Sequence, residues 1–311
     1  MSKQIQEEIE PGLHFTYELK KVLESTRSQW QDVDFIETGP FGKALLLDGL
    51  MQSAELDEYV YHECLVHPAM LAHPNPKRVF IGGGGEGSTA REVLRHKSVE
   101  ECVMVDIDGD VVDFCRTHLE SNKEAFESKR LNLIIDDAKK QLEEWPDKFD
   151  VIIMDLDDPL EGGPCYWLYT QSFYEMCKSK LNEGGILVTQ SSAAGVKAHK
   201  LVFSPVHKTL STVFPTVLPY SQAVYSFCDE WGWNMGFTAD NVKPLSVDEV
   251  DARIADRIDG ELRFLDGISY QGIFSLSKAI RKTLAEETHI LSKENPAFLH
   301  GSGINSTEQQ S

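Results

Sequence analysis

Between Phe15 and Ala54, short apolar runs are broken by turn residues at a spacing that predicts hairpins. Phe35-Ile36-Glu37-Thr38 meets Gly39-Pro40, and Ala44-Leu45-Leu46-Leu47 runs into Asp48-Gly49. Asp-Gly between apolar runs marks a two-residue hairpin, because both turn residues take positive φ. A small antiparallel β-domain is expected here, with residues 1–12 ahead of it polar and frayed. The period then changes. Tyr61, Leu65, Pro68, Ala69 and Ala72 predict one helix, or two short ones interrupted at Pro68. After Pro74-Asn75-Pro76, continuous apolar runs alternate with helical stretches. Residues 79–81, 102–106, 131–135, 149–155 and 185–190 read as strands, with helices over 90–96 and 111–119. Runs apolar at every position, separated by helices, imply a parallel sheet covered on both faces. Residues 213–219 and 231–238 fit an antiparallel edge pair. The expected division is a β-hairpin unit with connecting helix over 1–72, an α/β domain over 73–300, and a flexible tail over 301–311.

Composition narrows the partners. The chain has 311 residues with 30 basic and 50 acidic side chains, a net charge of −20. That field disfavours nucleic acid and anionic membranes and favours cationic ligands, although acidity for solubility alone produces the same balance. The N-terminus lacks a basic region followed by an apolar run, and no stretch approaches the roughly 20 apolar residues of a membrane span. Neither a secretory signal nor a transmembrane segment is expected. The six cysteines are scattered, without a CxxC or zinc spacing. Free core thiols in a reducing, cytoplasmic setting are the simplest account.

Candidate chemistry clusters after the strands. Gly82-Gly83-Gly84-Gly85-Glu86-Gly87-Ser88 lies between a strand and a helix, where backbone approaches a ligand closely. Such a loop suits a dinucleotide or an adenosyl sulfonium equally; Glu86 favours a ligand ending in an ammonium over a pyrophosphate. Asp106, at the end of the next strand, is placed for the two hydroxyls of a ribose. Asp136-Asp137-Ala138 reads either as an adenine-binding acid followed by a small residue or as a helix N-cap. Asp155-Leu156-Asp157-Asp158-Pro159 crowds three carboxylates at the carboxyl end of a buried strand. A metal cluster or a polyamine would relieve that crowding. With no histidine nearby in sequence, and with Leu160-Glu161-Gly162-Gly163-Pro164 resembling a mobile lid, the polyamine matches better. Gln52 to Glu63, with Tyr61 and His62, is by itself a polar helix start.

Taken together these residues resemble the spermidine/spermine synthase family of polyamine aminopropyltransferases, over about residues 15–300. The most specific motifs are Gln52 to Glu63, the Gly83–Gly87 loop and Asp155 to Pro159. Glu161-Gly162-Gly163-Pro164-Cys165-Tyr166, Trp231-Gly232-Trp233 and Tyr61-His62-Glu63-Cys64-Leu65 point to the thermospermine-forming plant-type group. The resemblance implies a Rossmann-like, methyltransferase-type doubly wound sheet. It also implies transfer of the aminopropyl group of decarboxylated S-adenosylmethionine to spermidine, with neither cofactor nor metal. Spermine or spermidine synthesis, or a methyltransferase, are the alternatives. By the same resemblance Asp155 and Tyr61 are the catalytic pair. Gln31, Gln52, His62, Gly83, Gly85, Glu86, Asp106, Asp137 and Ala138 bind the donor, and Asp158, Gln190, Phe227 and Asp229 line the acceptor site. Glu86 stands where aspartate is usual, and His62 replaces a common glutamine. Phe227 replaces a tyrosine, removing a hydrogen bond to a short diamine and hinting at a longer acceptor. A homo-oligomer, dimer or tetramer, is implied, and exposed edges of a small β-unit invite such pairing.

Overall fold

The computed structural model describes residues 3–10, 12–159 and 165–299. Leu160 to Pro164, expected as a lid, and the tail over 301–311 lie outside the described residues. The N-terminal part is an antiparallel meander in sequential order, β1 (Lys3–Glu10), β2 (Leu13–Arg27), β3 (Asp32–Thr38), β4 (Gly42–Leu47) and β5 (Leu50–Ala54). Asp48 and Gly49 make the expected turn, with φ of 47° and 77°, and Leu47 pairs with Leu50 across it. Residues 3–10, expected to be frayed, form a strand. They pair with β2 from Lys3 opposite Leu19 to Glu8 opposite His14. Its polar composition hid the strand, because ladder hydrogen bonds do not depend on side-chain polarity and among residues 3–9 only Glu7 is fully buried. That carboxylate accepts from Tyr17 Oη at 2.5 Å and from the Met51 amide at 3.3 Å.

The chain continues through α1 (Glu58–Ala72), β6 (Arg78–Gly83), α2 (Ser88–Leu94), β7 (Glu101–Asp106), α3 (Gly109–His118) and α4 (Lys123–Phe126). Next come β8 (Leu131–Ile135), α5 (Ala138–Glu144), β9 (Phe149–Asp155), α6 (Gln171–Ser179), β10 (Leu181–Ala193) and α7 (Phe203–Val213). β11 (Thr216–Val224), β12 (Asp229–Phe237), α8 (Val247–Arg257), α9 (Gly267–Ile273) and α10 (Lys278–Glu286) complete the order. The second sheet runs β11-β12-β10-β9-β6-β7-β8. Its five strands from β10 to β8 are parallel, and β12 and β11 are antiparallel at one edge. Residues 79–81, 102–105 and 151–154 of β6, β7 and β9 are apolar without a break because successive side chains enter different cores. Val79, Ile81, Val151 and Ile153 pack with Cys64, Leu65 and Ala69 of α1, whereas Phe80, Val103, Ile152 and Leu187 pack with Phe173, Val206 and Leu210. No helix among the described residues is long and apolar enough to cross a membrane.

One open alternative is settled and two further readings are corrected. Pro68 does not divide α1, which is continuous from Glu58 to Ala72. A proline inside a helix removes the hydrogen bond to the carbonyl four residues back, at a cost of about 3 kcal/mol. Here that carbonyl, Cys64 O, accepts from Tyr220 Oη at 2.9 Å instead. The first edge strand begins at Thr216 rather than 213, because Val213 ends α7, and it continues to Val224. Pro219 is tolerated within it because β11 is an edge. The helices α8 to α10 were not anticipated, although Ser246 and Glu249 form a capping box at the start of α8. The segment before α9 is tied to α1 by Glu63, whose buried carboxylate accepts from the amides of Arg263, Phe264 and Leu265 at 2.8, 2.9 and 2.8 Å.

Candidate active site

Strand order reverses at β6, which has β7 on one side and β9 on the other. Loops leaving the carboxyl ends there diverge, and a ligand crevice opens between them. A cavity of about 1310 Å³ occupies that place, walled also by the N-terminal sheet. Every site residue singled out from the sequence borders it, from Gln31 and Gln52 on the N-terminal sheet to Phe227 and Asp229 at the far edge.

The glycine loop is shaped by close approach. Gly83 has φ of 81°, and a Cβ there would lie 2.1 Å from the Asp155 carbonyl oxygen. At Gly85 a Cβ would lie 2.7 Å from Asp106 Oδ2, to which the Gly85 amide donates at 2.9 Å. The Asp108 amide donates to the other oxygen at 2.8 Å, so Asp106 is held in one orientation. Burial pushes its carboxyl up to about 6 against these amides, with Asp108 and Asp155 adding to the rise. Asp108 also accepts from Gln31 Nε2 at 3.1 Å and Ser28 Oγ at 2.6 Å, fixing the β2–β3 turn to the start of α3. Asp137 caps α5, accepting from the Lys140 amide at 3.1 Å, and Ala138 is the first residue of that helix. The cap reading is thus realised for one Asp137 oxygen, while the residue still faces the cavity.

Glu86 sits in a polar cage. Its Oε1 accepts from Ser53 Oγ at 3.2 Å and from Ser88 Oγ, and faces His62 Nε2 at 3.7 Å. Asn122 Nδ2 holds the loop through Glu86 O at 2.9 Å. Burial raises the Glu86 carboxyl, His62 opposes that, and Glu58 and Asp155 reinforce it. His62 Nδ1 lies 2.7 Å from Glu58 O and 2.9 Å from Glu58 Oε2, and Arg91 Nη2 reaches Glu58 Oε2 at 2.8 Å. Burial alone would lower the imidazole, but Glu86 and then Glu58 bring it up to about 9. The ligating atoms of Glu58, His62 and Glu86 lie within 4.8 Å of one another. Arg91 Nη2 already pairs with Glu58, so that carboxylate has a cationic partner within the protein.

Asp155 ends β9 beside Gly83. Tyr61 Oη donates to its Oδ1 at 2.8 Å and Thr89 Oγ1 to its Oδ2 at 2.6 Å. Burial, then Asp155, raises the Tyr61 hydroxyl well above its ordinary value, so it acts as a donor. The Tyr61 ring meets Phe227 edge-on at 5.6 Å, and Phe227 meets Trp231 at 4.9 Å, giving an apolar wall beside the acids. Gln190 Nε2 donates to Leu156 O and Tyr169 Oη, both at 2.7 Å, and its Oε1 accepts from the Ser192 amide and Trp231 Nε1. It therefore shapes the acidic loop. Burial pushes Asp158 up to about 6. Asp157 opens onto the cleft, yet the surrounding protein, then Asp106, Asp158 and Asp155, push it up to about 7. Asp229, half-buried, is raised by burial and accepts from the Glu230 amide at 2.7 Å.

The sequence reasoning missed Thr89, Ser53, Asn122, Glu58 and Arg91, which orient the named residues. Thr89 follows the glycine motif directly and was findable. The others approach only through folding. The raised carboxyls make a prediction. They lose their charge as pH falls through 7 and 6, so a cation loses its counter-ions in a range where ordinary carboxylates stay ionised. A simple α,ω-diamine should bind at least about 10-fold more weakly at pH 5.5 than at pH 7.5 by calorimetry. Constant affinity across that range would place the cation elsewhere.

Comparison with known proteins gives one family. Residues 58–249 match the spermine/spermidine synthase domain, and residues 4–55 match the spermidine synthase tetramerisation domain. The thermospermine synthase ACAULIS5 of Arabidopsis thaliana is 50% identical over 300 residues, 96% of this chain and 88% of that protein. Polyamine aminopropyltransferase 2 of Hyperthermus butylicus is 42% identical over 285 residues, 91% of this chain and 92% of the relative. Among solved structures, spermidine synthase from Thermotoga maritima superposes with a TM-score of 0.82 at 27% identity, covering 92% of this chain and 97% of the other. A spermidine synthase bound to the transition-state analogue AdoDATO gives 0.83 at 27% identity, with the same coverage.

Proposed function

The chain belongs to the spermine/spermidine synthase family, and on that footing we propose that it transfers the aminopropyl group of decarboxylated S-adenosylmethionine to spermidine, forming thermospermine and methylthioadenosine. The observation that carries the reading is Asp155. Its carboxylate is fixed by Tyr61 and Thr89 at the edge of a cavity whose other walls hold Asp106, Glu86 and the acidic loop.

In this reading Asp106 receives the ribose hydroxyls, Asp137 and Ala138 the adenine, and Glu86 the aminopropyl ammonium. Asp157, Asp158 and Asp229 receive the acceptor's ammonium groups, with its methylenes against Phe227 and Trp231. An alkylammonium has no lone pair, so the attacking nitrogen must first lose a proton. Carboxylates hold it charged, and the donor sulfonium opposes them. A positive charge about 4 Å away at an effective dielectric of 20 is worth roughly 4 kcal/mol, or about 3 in pKa. That brings an amine of pKa about 10 towards neutrality, where Asp155 takes the proton. The nitrogen then attacks the methylene beside sulfur, the C–S bond breaks, and its electron pair leaves with neutral methylthioadenosine. Holding the pair in line contributes several kcal/mol more.

The acceptor assignment draws on Phe227, which offers no hydroxyl to a short diamine, and on acids extending from Asp155 to Asp229 for a longer one. Chromatography of the product from spermidine and the decarboxylated donor should give thermospermine. Spermine as the main product would keep the chemistry and overturn the orientation of the acceptor. We also place the protein in the cytosol as a homo-oligomer, dimer or tetramer, joined through the N-terminal sheet. Its free cysteines suit a reducing compartment.

A further inference from the structure

His62 stands where a neutral imidazole does not suffice. Nδ1 is 2.7 Å from Glu58 O and 2.9 Å from Glu58 Oε2, which only accept, while Nε2 faces Glu86 Oε1 at 3.7 Å. A neutral ring carries one N–H, which Nδ1 commits to Glu58, leaving Nε2 as a bare lone pair at ion-pair distance from the Glu86 carboxylate, an arrangement that protonation relieves. The side chain is only 4% exposed, so bulk water does not complete the set. Glu58 is held away from the cavity by Arg91 Nη2, which reaches both its oxygens, at 2.8 and 3.2 Å. Arg91 is itself anchored to Glu92 at 2.9 Å. The charged groups around the ring are thus Glu58 on its own helix, Glu86 from the β6–α2 loop, Asp155 from β9, and Arg91 behind Glu58. The Tyr61 ring, with its hydroxyl on Asp155, packs edge-on at 5.0 Å.

We propose that the His62 imidazolium is a built-in substitute for the donor's ammonium. It balances Glu86 in the free enzyme and releases its proton to solvent when the cationic aminopropyl tail docks there. This rests on the reading of Glu86 as the partner of that ammonium. The Nε2 proton leaves, because Nδ1–H stays bonded to Glu58. The Nε2 lone pair so exposed is then an acceptor aimed at the incoming N–H groups. A unit positive charge about 4 Å away lowers a neighbouring pKa by about 3 at an effective dielectric of 20. Starting from about 9, that takes His62 below neutrality. The donor brings both an ammonium and a sulfonium, whereas methylthioadenosine brings neither. The two ligands therefore differ in proton traffic as well as in affinity.

The test is calorimetry of the intact enzyme at pH 7.5 in two buffers of different ionisation enthalpy, such as phosphate and Tris. Decarboxylated S-adenosylmethionine should release about one proton per molecule bound, methylthioadenosine essentially none, and the donor essentially none on His62→Gln. Donor binding to the wild-type enzyme without buffer-dependent heat overturns the proposal, as does undiminished release in His62→Gln. Retained methylthioadenosine binding shows that this variant is folded; if it is not, the two wild-type titrations decide alone. Glu86→Gln separates the layers. Equal losses of donor and methylthioadenosine there reject the reading of Glu86, and this inference with it. A selective loss of donor alongside no wild-type proton release rejects the His62 inference only.

Discussion

Asp155→Asn should lower kcat by about 10²–10⁴ while methylthioadenosine still binds as in the wild-type enzyme. The loss corresponds to about 2.7–5.5 kcal/mol of barrier. Asparagine keeps the shape, and its amide can still meet the hydroxyls of Tyr61 and Thr89, which accept as well as donate. What it lacks is the basicity to take the amine proton. Asp106 and Glu86, proposed for the ribose and the ammonium, lie on β7 and in the β6–α2 loop and are not touched. Single-turnover product formation alongside calorimetry separates the effects. Turnover near the wild-type rate would remove Asp155 from the proton transfer.

Glu86→Gln should weaken the decarboxylated donor by about 10² or more and methylthioadenosine by less than about threefold. Removing one partner of a buried charge pair costs about 2–5 kcal/mol, whereas a ligand without the ammonium never makes that pair. The cage supports a selective result, because Ser53 and Ser88 can donate to the glutamine carbonyl as they do to the carboxylate. Competition binding with the two ligands measures the ratio. Equal losses for both ligands would reject Glu86 as the partner of the ammonium.

How the sequence announced these residues, or did not, follows their chemistry. Asp106, Glu86 and Asp155 lie at or just beyond the carboxyl ends of apolar strands, so a one-dimensional reading placed them at one crevice before any contact was known. Thr89 and Ser53 left no comparable mark, since a hydroxyl is unremarkable until it is 2.6 or 3.2 Å from a carboxylate. Glu58 and Arg91 are 33 residues apart and meet because α1 packs on α2. The polar strand at 3–10 went unread for a related reason. Its order comes from pairing with β2, whereas periodicity reports only which faces are buried.

Local rules by themselves determined the Asp48-Gly49 turn, the alternating strands and helices of the large sheet, and the glycine loop with its flanking acids. Each depends on φ preference or on apolar burial, which are properties of short segments. Only the tertiary structure decided that α1 runs unbroken past Pro68, because the compensating hydroxyl comes from Tyr220, far along the chain. It alone set His62 between two carboxylates that raise its pKa, because Glu58 and Glu86 come from different elements. Coulomb energy depends on distance through space, and chain position does not encode that distance until the sheet has folded.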